Sequence, residues 1–197
     1  MDILLATNNQ GKVQELVRLL GDLPFNVRSL RDFPEVGEIE EDGESFAENA
    51  LIKARAGAGA TGLLTLADDS GLEVDVLEGE PGVRSARFAG EPKDDSRNNA
   101  KLLELLQDIP LNRRTARFKS VIALATPEGE EHLTEGTCEG LIGLQPRGQG
   151  GFGYDPLFYV PEYDKTFAEL SLEEKNAISH RGKALRAAAA MLERLDQ

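Results

Sequence analysis

The sequence has a single cysteine, Cys138, which excludes an internal disulfide framework. Lying between Thr137 and Glu139, it carries no catalytic signature and is expected to be structural. No apolar stretch reaches the roughly 18 residues of a membrane span. The opening Met1-Asp2-Ile3-Leu4-Leu5-Ala6-Thr7 has no basic leader and too short an apolar run for a signal peptide. The expectation is therefore a cytoplasmic protein with no membrane partner. Positive charge is also scarce: 22 Lys and Arg against 35 Asp and Glu leave a formal net charge of -13. Extended nucleic-acid surfaces need clustered excess cations, so no nucleic-acid partner is expected. A small anionic ligand stays compatible with this balance if the few cations converge locally. There is no internal repeat and no low-complexity tract, and 197 residues suit one domain or one two-lobed unit with a substantial core.

Within that frame the hydrophobic pattern alternates between two periods. Ile3 to Ala6 reads as a short buried strand, and Val13, Leu16, Val17 and Leu20 follow at helical spacing. After the acidic stretch Gly37 to Glu44, Ser45 and Glu48 have capping-box spacing ahead of a helical run from Phe46 to Ala56, with Gly57 and Gly59 placed to end it. Leu63 to Ala67 and Leu72 to Val76 read as strands on either side of an acidic turn. Ala100 to Leu106 reads as a helix, Arg114 to Ala125 as a longer strand, and Leu133 to Leu144 as one or two more. The glycine cluster from Arg147 to Pro156 must be a loop. Ser171 and Glu174 repeat the capping-box spacing, and the last helix carries Ala184, Leu185, Ala188, Met191, Leu192 and Leu195 on one face. Strands and helices mix without strict alternation, which favours an α/β fold with a mixed sheet over a doubly wound one.

Four segments carry chemistry. Asp68 and Asp69 close the apolar run Leu64-Thr65-Leu66-Ala67, where a buried charge costs several kcal/mol unless it is paired, and a divalent cation would be such a partner. The same residues also suit a surface turn. Thr7-Asn8-Asn9-Gln10-Gly11-Lys12 joins a strand to a helix, a junction that offers backbone amides and a dipole to a phosphate, although it lacks the Gly-Lys-Ser/Thr ending of a Walker A loop. Lys53 shares a helix face with Phe46 and Asn49. Phe152-Gly153-Tyr154-Asp155 sets aromatics among glycines, as stacking on a flat ring requires. Lys175 and Ser179 sit four residues apart with His180 and Arg181 adjacent, a cationic concentration in an acidic protein, whereas His132 among Glu130 and Glu131 reads as surface.

Taken in order, Thr7 to Lys12, Phe46 through Asn49-Ala50 to Lys53-Ala54, Ala67 to Leu72, Pro81-Gly82-Val83, Gly151 to Pro156 and Glu174 to Arg181 resemble the inosine triphosphate pyrophosphatase family, the XTP/dITP diphosphatases, from about residue 3 to 190. The resemblance implies a single domain over 1–197, a two-lobed α/β fold around a long mixed β-sheet flanked by helices, with the active site in the cleft between the lobes. It implies a homodimer and Mg²⁺-dependent hydrolysis of ITP, dITP and XTP to the monophosphate and pyrophosphate, which keeps these nucleotides out of DNA and RNA. By the same resemblance Thr7, Asn8, Asn9, Gln10, Gly11 and Lys12 hold phosphates, Glu40 and Asp69 the metal, and Lys53 neutralises charge. Ser70 touches the nucleotide, and Phe152, Gly153, Tyr154 and Asp155 with Lys175, His180 and Arg181 form the base pocket. Asp69 would also be the catalytic base. The choice between Asp68 and Asp69 for that role, and between Glu40 and Glu41 at the metal, is left open. A pyrophosphatase of other triphosphates and a noncatalytic nucleotide-sensing module are the rival readings; the pairing of Asp68 and Asp69 with Lys53 favours an enzyme.

Overall fold

Ile3, Leu4 and Leu5 are fully buried, as a strand covered on both faces requires, and they form the inner part of β1 (Asp2–Leu5). The computed structural model describes residues 2–21 and 25–195, apart from the side chains of Leu19 and Leu195. The expected place of Leu195 on the apolar face of the last helix therefore lies outside the described residues. Strand β1 pairs in parallel with β2 (Asn26–Ser29) on one side and with β3 (Leu64–Val74) on the other, Leu4 lying opposite Arg28 and Thr65. Strands β4 (Thr115–Ala125), β5 (Glu131–Ile142), β6 (Phe158–Val160) and β7 (Lys165–Thr166) complete a seven-stranded sheet in the order β2-β1-β3-β4-β5-β6-β7. Because β5–β6 and β6–β7 are antiparallel, the sheet is mixed, as the irregular alternation of elements led us to expect. Among the described residues five α-helices accompany it: α1 (Gln10–Leu20), α2 (Phe46–Thr61), α3 (Asp95–Leu105), α4 (Leu172–Ile178) and α5 (His180–Leu195). Among the described residues no helix is long and apolar enough to cross a membrane.

The chain divides into two compact units. The first comprises Met1–Ser70, Ser120–Gly136 and His180–Gln197. Leu16 and Leu20 of α1 and Ala184, Leu185, Ala188 and Leu192 of α5 pack in it against Ile3, Leu5, Leu64, Leu66, Ile122 and Leu124. A second cluster packs Phe46, Ala50, Ala54 and Ala58 of α2 against Ala6, Ala67, Val121, Ala123 and Ala125. Odd and even positions of β3 and β4 thus serve different helices, as the two-residue period of a strand demands. The second unit comprises Gly71–Lys119 and Thr137–Ser179. Its core is aromatic: the Phe158 ring lies 4.4 Å from that of Phe118 and 4.8 Å, edge on, from that of Phe167. Cys138 is buried in this cluster, in keeping with a structural role.

Three differences from the sequence reading, beyond shifts of a residue or two at strand ends, have a clear physical cause. Helix α2 does not stop at Gly57 or Gly59; it runs to Thr61 and ends at Gly62, whose φ of 67° supplies the left-handed C-cap. Gly57 is there for contact, since a Cβ at that position would meet Thr65 Cγ2 at 2.8 Å and Leu4 Cδ2 at 3.0 Å. Strand β3 passes without a break through Asp68-Asp69-Ser70-Gly71, so no acidic turn separates two strands. Helix α3 begins at Asp95, earlier than its apolar residues indicate, because the Asp94 side chain caps it by accepting from the Arg97 N–H. The capping spacings hold: Ser45 accepts from the Glu48 N–H, and Ser171 with Glu174 makes the full reciprocal box.

Candidate active site

Because β3 is continuous, its pleat sends Leu64, Leu66, Asp68 and Ser70 to one face and Thr65, Ala67 and Asp69 to the other. Asp68 consequently meets α1, α5 and β4. It is fully buried, paired with Lys12 Nζ at 2.8 Å and Arg181 Nε at 3.5 Å, and accepts hydrogen bonds from Ser120 Oγ at 2.5 Å and Ser70 Oγ at 3.3 Å. Burial alone would raise its pKa, but the charges of Lys12 and Arg181 and the bonds from Lys12 and Ser120 hold it well below the usual carboxylate range. Arg181 is anchored in turn, donating to Glu15 at 2.5 Å and to Ser70 Oγ at 2.9 Å.

Asp69 faces α2 and a different environment. Lys53 Nζ lies 3.7 Å from its Oδ1, while that ammonium donates to the Asp68 carbonyl at 2.8 Å and to Glu41 at 3.0 Å. Asp69 Oδ2 is buried and accepts no hydrogen bond among the described residues. Burial pushes its pKa up to about 6, with Glu41 and Asp68 adding to the rise and Lys53 and Lys12 opposing it. A buried anionic oxygen with no donor is costly, and a cation is the partner that would relieve it. No group of three or more His, Cys, Asp or Glu side chains is gathered for a metal among the described residues. Mg²⁺ does not need one, since it commonly binds one or two carboxylates together with substrate phosphates and water. Of the two acidic candidates before α2, Glu41 reaches Lys53 and Glu40 is exposed.

The segment from Thr7 to Lys12 forms the expected strand-to-helix junction. Asn9 is the N-cap of α1 and accepts from the Lys12 N–H at 3.3 Å, and Thr7 Oγ1 accepts from the Asn9 N–H at 3.2 Å. Asn8 and Gln10 are exposed, and Gly11 and Lys12 half-buried. The junction thus leaves polar side chains open at the positive end of a helix while Lys12 reaches in to Asp68.

In the second unit, the α4 capping box sets Lys175 one residue after Glu174, and its ammonium forms a buried pair with Asp155 at 2.8 Å. Asp155 also accepts from the Phe152 N–H at 3.1 Å, and Lys175 Nζ lies 5.3 Å from the half-buried Phe152 ring. Gly151 has φ 71°, and a Cβ there would run into the Asp155 carboxylate. Gly153 donates to Asp95 and accepts from Asn99, each at 2.9 Å, and the Tyr154 hydroxyl donates to the Ser85 carbonyl at 2.7 Å. Sequence reasoning grouped Lys175, His180 and Arg181 together. In the structure Lys175 joins Phe152 and Asp155, whereas buried His180 and Arg181 open α5 in the first unit and Arg181 joins Asp68 and Ser70. Glu15, Ser120, Asp95 and Asn99 were missed. Glu15 stands three residues after Lys12 on α1, and Ser120 shares parity with Ile122 and Leu124, so both had a signal; nothing local marks Asp95 or Asn99.

The sequence profile of the Ham1 family matches residues 3–191. The chain belongs to the Ham1 family. A relative in Desulforamulus reducens named dITP/XTP pyrophosphatase is 62% identical over 195 residues, spanning 99% of this chain and 97% of the relative. Another of that name in Geobacter sulfurreducens is 55% identical over 93% of this chain and 92% of the relative. Among solved structures, a HAM1 protein of Coxiella burnetii superposes with a TM-score of 0.90 at 45% identity, covering 98% of this chain and 99% of that one. A nucleoside-triphosphatase, dITP/XTP pyrophosphatase, of Mycobacterium abscessus gives 0.78 at 53% identity over 95% and 98%. The family resemblance and the α/β architecture expected from the sequence are thereby both established for this Ham1 chain.

Proposed function

We propose that this chain hydrolyses dITP, ITP and XTP to the monophosphate and pyrophosphate in a Mg²⁺-dependent reaction, clearing these nucleotides from the cytoplasmic pool. The observation that carries the reading is Asp69. Its unpartnered buried oxygen and a pKa near 6 stand beside Lys53 and the Lys12–Asp68–Arg181 cluster. The names of the relatives, dITP/XTP pyrophosphatase, support dITP and XTP among these substrates.

Asp69, with Glu41 or its neighbour Glu40, would hold the metal. When bound, Mg²⁺ supplies charge neutralisation and alignment of the phosphate oxygens. Asp69 would accept the proton of the attacking water through the carboxylate oxygen not given to the metal, since general-base catalysis needs an ionised group within reach of that water. Asp68 is unsuited to that step: its two oxygens are occupied by cations and hydroxyls, which keep it ionised and weakly basic. It instead holds Lys12 and Arg181 in place, and Lys12 with Lys53 offsets charge developing on the leaving pyrophosphate. Thr7 to Lys12 receive the phosphates. Phe152 offers a ring face to the purine, and His180 and Arg181 supply donors for a C6 oxygen, which adenine lacks.

Turnover in ¹⁸O-labelled water tests the reading. Attack at the α-phosphorus places the label in the nucleoside monophosphate and none in pyrophosphate, and excess chelator stops the reaction. Orthophosphate as the first product, labelled pyrophosphate, or unchanged turnover in chelator would overturn it. We also propose a homodimer on the strength of the resemblance, to be checked by sedimentation at working concentration; a monomer there refutes it.

A further inference from the structure

Gly153 has φ 62°, a conformation natural to glycine, in the loop that presents Phe152, Tyr154 and Asp155. Both of its polar backbone groups are taken by one helix more than fifty residues earlier in the chain. Asp95 Oδ2 accepts from its N–H at 2.9 Å, and Asn99 Nδ2 donates to its carbonyl at 2.9 Å. The two side chains are four residues apart, hence on one face of α3, and Asn99 Nδ2 also donates to the Asp95 carbonyl at 2.8 Å. The helix itself requires neither. Asp94 already caps it, and asparagine is a poor residue for a helix interior. The neighbouring Asn98 serves another segment, accepting from the Ala89 N–H and donating to the Ala86 carbonyl.

We infer that Asp95 and Asn99 are positioning residues for purine recognition: by gripping Gly153 from both sides they hold the loop in the one conformation that keeps Phe152 beside the Lys175–Asp155 pair. The inference rests on the proposed function. A loop released from this grip populates its binding-competent form only in part, and apparent affinity falls by that fraction for every ligand that uses the loop. A ligand made of phosphate alone does not use it.

Asp95→Ala and Asn99→Ala, made separately, are expected to raise KM for dITP about tenfold with kcat within about twofold. The competitive inhibition constant of inorganic tripolyphosphate should stay at the wild-type value. Asp95→Asn keeps an oxygen able to accept from Gly153 and should restore KM. The chain has no tryptophan, so Phe152→Trp places a sole indole in the loop, and adding Asp95→Ala should lower its fluorescence anisotropy. Wild-type KM in both alanine variants, a tripolyphosphate constant that rises by the same factor as KM, or an unchanged anisotropy overturns the inference. If Asp95→Ala does not fold, Asn99→Ala in the kinetic and anisotropy measurements decides it. A wild-type protein that leaves dITP intact would instead remove the functional reading, and the anisotropy comparison would then decide the grip by itself.

Discussion

Asp68 and Asp69 are chemically identical neighbours, yet amide substitution should move stability in opposite directions. The native pKa of Asp69, about 6, lies above the ordinary aspartate value of 3.8, so the native state holds that proton more tightly than the unfolded chain. Ionising Asp69 therefore costs the metal-free fold nothing below pH about 4, increasingly more between about 4 and 6, and on the order of 3 kcal/mol above that. Asp69→Asn is predicted to abolish most turnover, by about 10²–10⁴-fold. In chelator the same variant should raise the melting temperature at pH 8, a gain that disappears near pH 4. Thermal denaturation at the two pH values checks this, and a loss of stability at pH 8 would contradict it. For Asp68 the sign reverses. Its native pKa lies well below the unfolded value, so its stabilisation is complete above pH about 4, declines as the pH drops below that, and is gone only once the pH has fallen through the depressed native pKa. Asp68→Asn leaves Lys12 and Arg181 buried without their shared carboxylate and should destabilise by about 3–5 kcal/mol at pH 7, measurable by urea denaturation.

At the scale of the element, α2 provides a comparison within one helix. Gly59 is exposed with nothing within 4 Å of an added Cβ, so Gly59→Ala should stabilise by about 0.5–1 kcal/mol through helix propensity. Gly57→Ala gains the same propensity but sets a methyl 2.8 Å from Thr65 Cγ2 and 3.0 Å from Leu4 Cδ2. Overpacking of that kind costs about 1–3 kcal/mol, and the variant should be less stable than wild type. Paired urea titrations decide the matter; equal shifts would mean that β1 and β3 yield freely beneath α2. The glycines of α2 also show why its end was misread: glycine marks a helix terminus and a close contact alike, and only the neighbouring strand tells the two apart. The same holds for Asp68-Asp69-Ser70-Gly71, whose composition is that of a turn. It stays extended because Lys12, Arg181 and Ser120 satisfy one carboxylate and Lys53 approaches the other.

Across the whole molecule, a net charge of -13 coexists with a local concentration of cations, Lys12, Lys53 and Arg181, about two carboxylates. Such a field admits a small polyanion to one place and repels an extended one. Excess duplex DNA at about 0.15 M salt should therefore leave turnover of dITP unchanged, while inorganic tripolyphosphate competes. Inhibition by DNA in a nucleotide-hydrolysis titration would show that the acidic surface does not exclude it.

The sequence by itself determined the α/β class, the strand-to-helix junction at Thr7 to Lys12, and the capped starts of α2 and α4. Each of these depends on local periodicity, on capping chemistry or on motifs that lie within a few residues of one another. Tertiary structure alone decided that Asp68 is consumed by cations while Asp69 keeps an open oxygen, since the pleat of β3 turns adjacent side chains toward different helices. It also decided that Arg181 joins Asp68 rather than Lys175, that Glu41 reaches Lys53, and that β2, a polar Asn-Val-Arg-Ser segment, is a strand through its pairing with β1. These outcomes depend on partners tens of residues away, and a carboxylate's chemistry follows from which charges and how much water surround it, which only the packed chain specifies.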